Sequence, residues 1–430
     1  MKITEISTSF WDCLSRPSAI IESLKKDITA ECVIIGAGFT GLNAAWALMQ
    51  AGVDVVLLEA NEPGWGASGR NGGMAVLRYK KGWAELVASY GTEKAKNMLA
   101  LLESAVNTIE YNVNELSLDC GFQRYGHITA AHTNHDLEHL TKDINWLKAE
   151  ANYHYAHILN KQQAAELMGT TSYQGGYLDE KAAGINPLAY CREFADALIQ
   201  RGLPLFAQSA VKNVQKTLDG YIVEAGQGSV KAKRILLATN GYTGLYPLNT
   251  DVSQRIVPVT SSVVVTNAIS EDVYKGILPQ NHLVTDTRHL VNYFRRVSGN
   301  RLLFGGRGSL SGREKPAIYK NLYKQLCSIY PELQGTGMDF QWSGHVAVTL
   351  DDFPHIGHFT DNGIFALGYG GRGVALSHLL GKTLADLVLG EKKQLGPMAH
   401  ELHKVPFHSL RLPFMGIVAG YYWLRDQVGR

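Results

Sequence analysis

The pattern of hydrophobic and polar positions predicts a strand, helix and strand near the start of the chain. Residues 31–60 read ECVIIGAGFTGLNAAWALMQAGVDVVLLEA, which is an apolar run, a glycine turn, an apolar helix and a second apolar run. We assign the strands to Cys32–Ile35 and Val53–Leu58 and the helix to about Thr40–Gln50. Both strands are apolar throughout, which is typical of parallel strands buried on both faces.

The remaining pattern predicts a second, different architecture. Residues from about Trp83 to Met168 have helical spacing, and Ala210–Gly241 reads as short strands. In Arg255–Gly306, strand-forming residues alternate or cluster between polar turns, which is typical of an antiparallel sheet. Gly363–Gly390 again has the pattern of a strand, a glycine turn and a helix. The predicted fold class is therefore α/β plus antiparallel β, with a Rossmann-type nucleotide-binding domain interleaved with a substrate domain. The predicted ranges are 28–80, 160–246 and 343–395 for the first domain, 81–159 and 247–342 for the second, and 396–430 for a C-terminal extension packing on the body.

The first glycine turn has the spacing of a dinucleotide-binding loop. Gly36, Gly38 and Gly41 form G-x-G-x-x-G directly after a strand, and Glu59 ends the next strand about 20 residues further on. Glycine there permits a tight turn and lets a pyrophosphate approach the backbone at the helix N-terminus. Because a carboxylate repels a 2′-phosphate, Glu59 favours the ADP half of FAD or NAD over NADP.

The segment GWGASGRNGG follows the second strand and carries Ser68, Arg70, Asn71, Gly72 and Gly73. A cation, an amide and exposed backbone N–H groups suit a second phosphate or a polar ring edge. An ordinary polar surface loop is the alternative.

A second G-x-G-x-x-G, formed by Gly368, Gly370 and Gly373, precedes a helix predicted over Val374–Leu389. No acidic strand end follows, so we do not expect a second dinucleotide fold. The helix N-terminus and Arg372 would place positive charge where reduced flavin is negative. A tight turn with an exposed arginine is equally consistent with the pattern.

Composition excludes several classes of protein. The 430 residues carry a formal net charge of +2 with no long run of one sign, so nucleic acid is not an expected partner. Five scattered cysteines form no C-x-x-C pair, which indicates a reducing, cytoplasmic location, and the first 26 residues lack a secretory pattern. The histidine pairs His132/His135, His154/His157 and His355/His358 lack other metal ligands nearby, so no metal is expected.

The C-terminal segment Phe407–Arg430 combines bulky apolar residues with three arginines. Its apolar stretch Leu412–Leu424 is shorter than the roughly 20 residues that cross a bilayer. It could lie on a membrane surface, but Pro413 and Gly416 interrupt the pattern, so we favour a terminal helix packed on the protein.

Taken together, these motifs resemble the flavin-dependent amine and amino-acid oxidoreductases of the D-amino acid oxidase superfamily. The resemblance covers nearly the whole chain and rests on GAGFTG with Glu59, GASGRNGG, Val211, LATNG (237–241), WSGHVAVTLDDFPHIG (342–357) and GYGGRGVALSHLLGK (368–382). Within it the chain is most similar to bacterial gamma-glutamylputrescine oxidases, which also share the NRLLFGG strand and the C-terminal tail. Met74 replaces their usual Gln, and Gly370 and Arg372 replace their usual Ser and His.

The resemblance implies an FAD cofactor, bound non-covalently because GASGRNGG contains no His or Cys for attachment. It implies cofactor contacts from Gly36, Gly38, Phe39, Thr40, Gly41, Glu59, Ala60, Ser68, Arg70, Asn71, Gly72, Gly73, Val211, Thr239, Gly241, Gly371, Arg372, Gly373 and Val374.

The resemblance also implies the chemistry, which is hydride transfer from the carbon beside a neutral amine to flavin N5. The products are aldehyde, ammonia and hydrogen peroxide, with a small-molecule amine as substrate and molecular oxygen as acceptor. The expected catalytic residues are Tyr293, Trp342, His345 and Arg372, with Phe294 as a further aromatic candidate and Arg296 or Arg307 as further candidates for a substrate carboxylate. The alternatives are oxidation of an amino acid or N-methyl amino acid, with a quinone as possible acceptor, or a structural FAD in a larger complex.

Overall fold

The computed structural model describes residues 8–244, 251–309 and 314–428. The strands in this part of the chain are, in order, β1 Ile28–Ile35, β2 Val55–Leu58, β3 Met74–Ala75, β4 His127–Ala131, β5 Ala156–Leu159, β6 Gly175–Asp179, β7 Ala183–Gly184, β8 Leu205–Phe206, β9 Val211–Thr217, β10 Gly220–Ala225, β11 Gly228–Leu237, β12 Val257–Thr266, β13 Leu283–Asp286, β14 Tyr293–Val297, β15 Arg301–Arg307, β16 Met338–Val348, β17 His355–Thr360 and β18 Gly363–Leu367. The α-helices are α1 Phe10–Leu14, α2 Phe39–Gln50, α3 Trp83–Tyr90, α4 Thr92–Leu116, α5 Asn134–Ala149, α6 Lys161–Met168, α7 Pro187–Gln200, α8 Glu271–Gly276, α9 Pro316–Ile329, α10 Gly373–Val388 and α11 Arg411–Val428.

The first sheet has the order β17-β18-β11-β1-β2-β8, and β9 and β10 extend β11 as an antiparallel arm. Its central strands are parallel, because β1 pairs with both β2 and β11 and β11 pairs with β18 in that sense. The α-helices α2, α4, α7 and α10 pack together beside this sheet. This arrangement is a Rossmann-type sheet, and the α/β prediction for this region is confirmed.

The second sheet has the order β16-β12-β15-β14-β13-β4-β6-β5 and is antiparallel except where β13 pairs with β4. Its two faces differ in composition, because side chains alternate along each strand. One face packs Ile128, Val284, Phe294 and Phe304 against helices α6 and α9. The other, which we call the front face, bears His127, Thr129, Tyr177, Thr285, Tyr293 and Trp342 and turns toward the first sheet. The predicted antiparallel component of the fold is thus confirmed.

Several predicted boundaries differ from the structure. The region predicted to be mainly helical also contains β4 and β5, short strands that follow α4 and α5 along the chain and belong to the second sheet. Residues 160–246 were assigned to the nucleotide-binding domain, but β6 pairs with β4 and β5 in the second sheet. Likewise α4, assigned to the substrate domain, packs against α10 beside the first sheet. Sheet membership depends on pairings between distant segments, which local hydrophobicity does not reveal.

The C-terminal segment forms one continuous helix, α11, despite Pro413 and Gly416. Pro413 is the third residue of the helix, where a missing N–H removes no intrahelical bond. The helix contacts the body where Asp426 accepts hydrogen bonds from the backbone N–H groups of His289 and Leu290. No helix in the described part of the chain is long and apolar enough to cross a membrane. Arg430 lies outside the described residues.

The five cysteines are free thiols, of which Cys13 is exposed and Cys32, Cys120 and Cys191 are buried. The cytoplasmic location inferred from them stays a prediction.

Candidate active site

A cavity lies at the carboxyl ends of β1, β2 and β11, where ligands bind in open α/β sheets. We call it the cofactor cavity. Its lining includes residues from the three strand ends, from the N-terminal ends of α2 and α10, and from the segment 64–71. These are Ile35, Gly36, Gly38, Phe39, Thr40, Leu58, Glu59, Ala60, Asn61, Gly64, Trp65, Gly66, Ala67, Ser68, Asn71, Ser209, Val211, Ala238, Thr239, Asn240, Tyr242, Val346, Tyr369, Gly371, Gly373, Val374 and Ser377.

The floor of the cavity is a glycine turn that no side chain could occupy. Gly36 has φ +106°, and a Cβ there would lie 2.9 Å from the carbonyl oxygen of Ala238. A Cβ on Gly41 would lie 1.9 Å from the carbonyl oxygen of Gly36, so α2 packs directly on the turn. A Cβ on Gly38 would lie 2.6 Å from Ser68 Oγ, which accepts a hydrogen bond from Phe39 N–H at 3.0 Å. The three positions therefore require glycine for packing, and Gly36 and Gly38 also line the cofactor cavity.

Glu59 stands at the end of β2 with its carboxylate held by the backbone. Oε2 accepts a hydrogen bond from Ala37 N–H at 2.7 Å, and Oε1 accepts one from Asn61 N–H at 2.9 Å. Burial raises the pKa of this carboxyl, while these two N–H groups oppose the rise. Each carboxylate oxygen keeps lone-pair capacity for a further donor, as recognition of a ribose requires.

The other end of the cavity is built from α10 and the turn before it. Gly371, Gly373 and Val374 line it, and the Tyr369 hydroxyl lies 2.8 Å from Thr40 Oγ1. A Cβ on Gly381 would lie 2.4 Å from the carbonyl oxygen of Thr40, so α10 and α2 pack at close range. The N-terminal ends of both helices thus meet at one cavity, which favours an anionic ligand.

Two arginines lie between the cofactor cavity and the front face. Arg372 is the residue before α10, and the charge of Arg78 together with burial lowers the pKa of Arg372 to about 10. Both arginines also act with burial to lower the pKa of His127 on β4, so this imidazole is neutral near pH 7. Neither guanidinium forms an ion pair with a residue that the structure describes. Asp143 is the carboxylate that Arg78 influences, and its Oδ1 accepts a hydrogen bond from Ala84 N–H.

Tyr293, predicted to be catalytic, lies on the front face. Its ring covers Gly305, and its hydroxyl lies 3.1 Å from Ser261 Oγ. Gly72 lies against the same ring, because a Cβ there would be 2.9 Å from Tyr293 Cε2. Tyr293 therefore stands beside the predicted flavin-facing segment.

Trp342 and His345, also predicted to be catalytic, both lie on β16. Trp342 is fully buried and its Nε1–H donates to the carbonyl oxygen of Arg70 at 2.9 Å. His345 lies behind Tyr242, whose hydroxyl accepts a hydrogen bond from His345 N–H, and burial lowers the pKa of its imidazole. Neither of these two side chains lines the cofactor cavity.

The two arginine candidates for a substrate carboxylate, Arg296 on β14 and Arg307 on β15, lie on opposite faces of the second sheet. Arg296 lies on the back face with Phe294, where its guanidinium stacks over Tyr274 and donates to the Tyr274 carbonyl. Its placement does not suit a substrate contact. Arg307 is half-buried on the front face, opposite Ser261.

Thirteen of the nineteen predicted cofactor contacts line the cavity. The other six, namely Gly41, Arg70, Gly72, Gly73, Gly241 and Arg372, are not among the lining residues. Arg78, His127 and Tyr177 belong to none of the sequence motifs. They come together at the front face from segments that are far apart along the chain. Within the residues described, no group of three or more His, Cys, Asp and Glu side chains could hold a metal ion.

The geometry fits an elongated dinucleotide whose pyrophosphate lies on the glycine turn, because backbone, Glu59 and two helix ends converge there. The model of the family described as DAO, FAD dependent oxidoreductase, matches residues 31–387. This chain belongs to that family. It is therefore an FAD-dependent oxidoreductase related to amine and amino-acid oxidoreductases.

The DAO chain is similar to curated bacterial proteins over most of its length. It is 31% identical to the gamma-glutamylputrescine oxidoreductase of Escherichia coli K12, over 99% of this chain and 100% of the relative. It is 30% identical to the probable oxidoreductase OrdL of Haemophilus influenzae, over 85% of this chain and 84% of the relative. The resemblance drawn from the motifs is confirmed.

Solved structures show the same fold. Glycine oxidase from Geobacillus kaustophilus superposes with a TM-score of 0.74 at 19% identity, covering 88% of this chain and 100% of that one. L-Proline dehydrogenase from P. horikoshii gives a TM-score of 0.72 at 18% identity, covering 87% and 96%.

Proposed function

We propose that this DAO chain is an oxidase of small amines, with gamma-glutamylputrescine as the leading substrate. The carbon beside a neutral amine would lose a hydride, and the resulting imine would hydrolyse to an aldehyde and ammonia for a primary amine, or to an aldehyde and a primary amine for a secondary one. The chemistry that bound FAD would supply is acceptance of the hydride at N5 and reoxidation by oxygen, which would give hydrogen peroxide. The observation that carries the proposal is the junction of the cofactor cavity with the polar front face of the second sheet.

The chain's own groups have distinct tasks in this scheme. The glycine turn and Glu59 would hold the ADP half, while Tyr369, Gly371 and Gly373 would border the ring end. Tyr293 would cover the reacting carbon on the front face and exclude water. His127, which is neutral near pH 7, would leave the substrate amine without a competing imidazolium nearby.

The arginines support a substrate that carries a carboxylate. Arg78 and Arg372 bring two positive charges to the front face without an ion-pair partner in the described part of the chain. Guanidinium groups bind carboxylates by paired hydrogen bonds. In gamma-glutamylputrescine the carboxylate and the terminal amine of the putrescine part lie at opposite ends, which suits a site that extends along several strands.

We also propose that FAD is held without a covalent bond. Cys327 lies on α9, which packs against the back face, and Tyr323 is its hydrogen-bond partner. Cys191 touches Gly64 at the cavity wall, but burial raises its thiol pKa well above the ordinary value, so it stays protonated. Acid precipitation is expected to leave the yellow colour in the supernatant, and colour in the pellet would contradict the proposal.

Oxidation of an amino acid is the second candidate. The observation that favours it is the same arginine pair, because an α-carboxylate would then lie next to the reacting amine. The two candidates differ in the distance from carboxylate to amine, so substrates of different length separate them.

The deciding experiment is the visible spectrum of the purified protein under anaerobic conditions. Gamma-glutamylputrescine is expected to bleach the flavin band, and putrescine, glycine and L-proline are the comparison compounds. Bleaching by glycine or L-proline alone would support the second candidate. A flavin band that no amine bleaches would reject amine oxidation and leave a structural FAD. Peroxide formation after readmission of oxygen tests the acceptor.

A further inference from the structure

The turn Arg70–Gly73 is held from behind by three side chains that come from distant parts of the chain. Trp342 Nε1–H donates to the carbonyl oxygen of Arg70 at 2.9 Å, and Trp11 Nε1–H donates to that of Asn71 at 2.8 Å. Arg295 Nη1 lies 3.4 Å from the carbonyl oxygen of Gly72 and 3.0 Å from that of Gly73. Four successive carbonyls therefore each have a side-chain donor, an arrangement that we call the carbonyl clamp.

The clamp dictates where the amides of the turn point. In a trans peptide the N–H is directed opposite to the C=O, and no cis peptide occurs in the described chain. The N–H groups of Asn71 and Gly72 belong to the two peptides whose carbonyls the tryptophans hold. Within residues 8–244, 251–309 and 314–428 these two N–H groups form no hydrogen bond. They are thus free donors on the side of the turn away from the clamp, and Asn71 lines the cofactor cavity.

Arg295 adds a buried charge to the clamp. Its side chain is 7% exposed, and its guanidinium lies near the rings of Trp11 and Tyr125. Its other acceptors are the carbonyl oxygens of Ile185, at 3.1 Å, and of Arg296, at 3.3 Å. No carboxylate in the described part of the chain forms an ion pair with it, and burial lowers its pKa to about 10. Arg295 therefore remains a cation at neutral pH whose partners are carbonyl dipoles and aromatic rings.

We propose that Trp11, Trp342 and Arg295 are positioning residues that present the amides of Asn71 and Gly72 to the flavin, and that the Arg295 charge favours the reduced, anionic flavin. Donors held in place and a fixed cation stabilise developing negative charge without reorganisation. The inference rests on the FAD site and is independent of which amine is the substrate.

The first test isolates one hydrogen bond of the clamp. Trp11→Phe keeps the aromatic packing and removes the N–H that holds Asn71. We expect the FAD dissociation constant, measured by flavin fluorescence, to rise about tenfold. Trp146→Phe is the matched control, because its indole N–H is buried without a hydrogen-bond partner in the described chain, so its FAD affinity is expected to stay unchanged.

The second test isolates the charge. In Arg295→Met the ratio of reduced to oxidised flavin against a reference dye should fall about tenfold, which is about 30 mV for a two-electron couple. Arg295→Lys should keep the ratio within about twofold of the wild type while binding FAD more weakly. Arg296→Met is the matched control, since it removes the neighbouring charge on the back face and should leave the ratio unchanged.

The result that would overturn the proposal is equally specific. Wild-type FAD affinity in Trp11→Phe, or one common ratio in Arg295→Lys and Arg295→Met, means that the clamp only supports folding. Trp11→Phe and Arg295→Lys are conservative enough to serve even if Arg295→Met does not fold. These two tests measure FAD affinity and the flavin redox ratio without any amine substrate. Failure of the substrate proposal in the anaerobic titration with amines would therefore leave them unaffected.

Discussion

The two sides of the candidate active site are made from different parts of the polypeptide. The cofactor cavity is formed largely by backbone, with glycines at positions where a Cβ would collide with Ala238 or Gly36. The front face is formed by side chains that four or more separate strands bring together, such as His127, Tyr177 and Tyr293. A backbone site tolerates almost no substitution, whereas a side-chain site can change its ligand one residue at a time. We therefore expect cofactor binding and substrate choice to respond separately to mutation.

The largest effect is expected at the backbone side. Gly41→Ala would place a Cβ 1.9 Å from the carbonyl oxygen of Gly36, so α2 must move away from the turn. FAD affinity should fall at least 100-fold, measured by fluorescence titration of the apoprotein. Gly276→Ala is the control, because nothing lies within 4 Å of its added Cβ. Equal affinity of the two variants would refute the role of close packing at this turn.

At the front face, Arg78→Met should change substrate choice and spare the cofactor. We expect kcat/KM for carboxylate-bearing amines to fall about 30-fold to 100-fold, mainly through KM, because the paired hydrogen bonds to the carboxylate are lost. An amine without a carboxylate, such as putrescine, should be oxidised no more slowly than by the wild type. A uniform loss with both kinds of amine would assign Arg78 to general structure.

A smaller change on the cofactor side is expected from Glu59→Gln. The amide oxygen can still accept one backbone N–H, but the NH₂ group cannot accept the other. FAD should bind about tenfold more weakly while the flavin spectrum stays unchanged. A gain in affinity for a 2′-phosphorylated dinucleotide would support the role of the Glu59 carboxylate in repelling a 2′-phosphate. Unchanged FAD affinity would show that Glu59 does not contact the cofactor.

The smallest effect concerns pH and involves Asp179 on β6, which pairs with His127 on β4. Burial raises the pKa of the Asp179 carboxyl to about 6, from an ordinary value of 3.8 for an aspartate. The folded state then holds its proton more tightly than the unfolded state, so this group makes stability fall as pH rises from about 4 to 6. The loss is on the order of 2–3 kcal/mol.

Asp179→Asn should therefore flatten the pH dependence of Tm over that interval. The amide oxygen can still accept from the Tyr153 hydroxyl and Lys181 N–H, so the hydrogen bonds survive. Asp361→Asn, at an exposed carboxylate, is the control. Parallel pH profiles for the wild type and Asp179→Asn would show that Asp179 titrates normally.

The difference between the two sides also explains what could be predicted from the sequence. Gly36, Gly38, Gly41 and Glu59 lie within one local unit, so their spacing alone predicted a dinucleotide-binding unit, whereas the family resemblance needed motifs along nearly the whole chain. Gly368, Gly370 and Gly373 gave a second local pattern, and the structure brings Gly373 to the same cavity.

No motif within one short segment of the sequence predicts the residues of the front face. His127 and Tyr177 meet because β4 pairs with β6, and Arg78 reaches them from a segment without regular structure. Trp342 was singled out as an aromatic residue near the flavin, but its hydrogen bond to the Arg70 carbonyl becomes visible only once β16 is folded. Contacts between distant segments depend on register, and a single sequence does not specify register where short strands such as β5 lie between helices.

The meeting of α2 and α10 at one cavity has a consequence for biosynthesis. The glycine turn at Gly36 is made early, but the wall formed by Gly373 and Val374 follows more than 300 residues later. At roughly 5–20 residues per second, a ribosome needs about 20–70 s to bridge that interval. A nascent chain therefore carries half a dinucleotide site for most of its synthesis, and a product truncated before α10 would lack the second half. Capture of the cofactor by both halves of the site is thus expected only after α10 has been made.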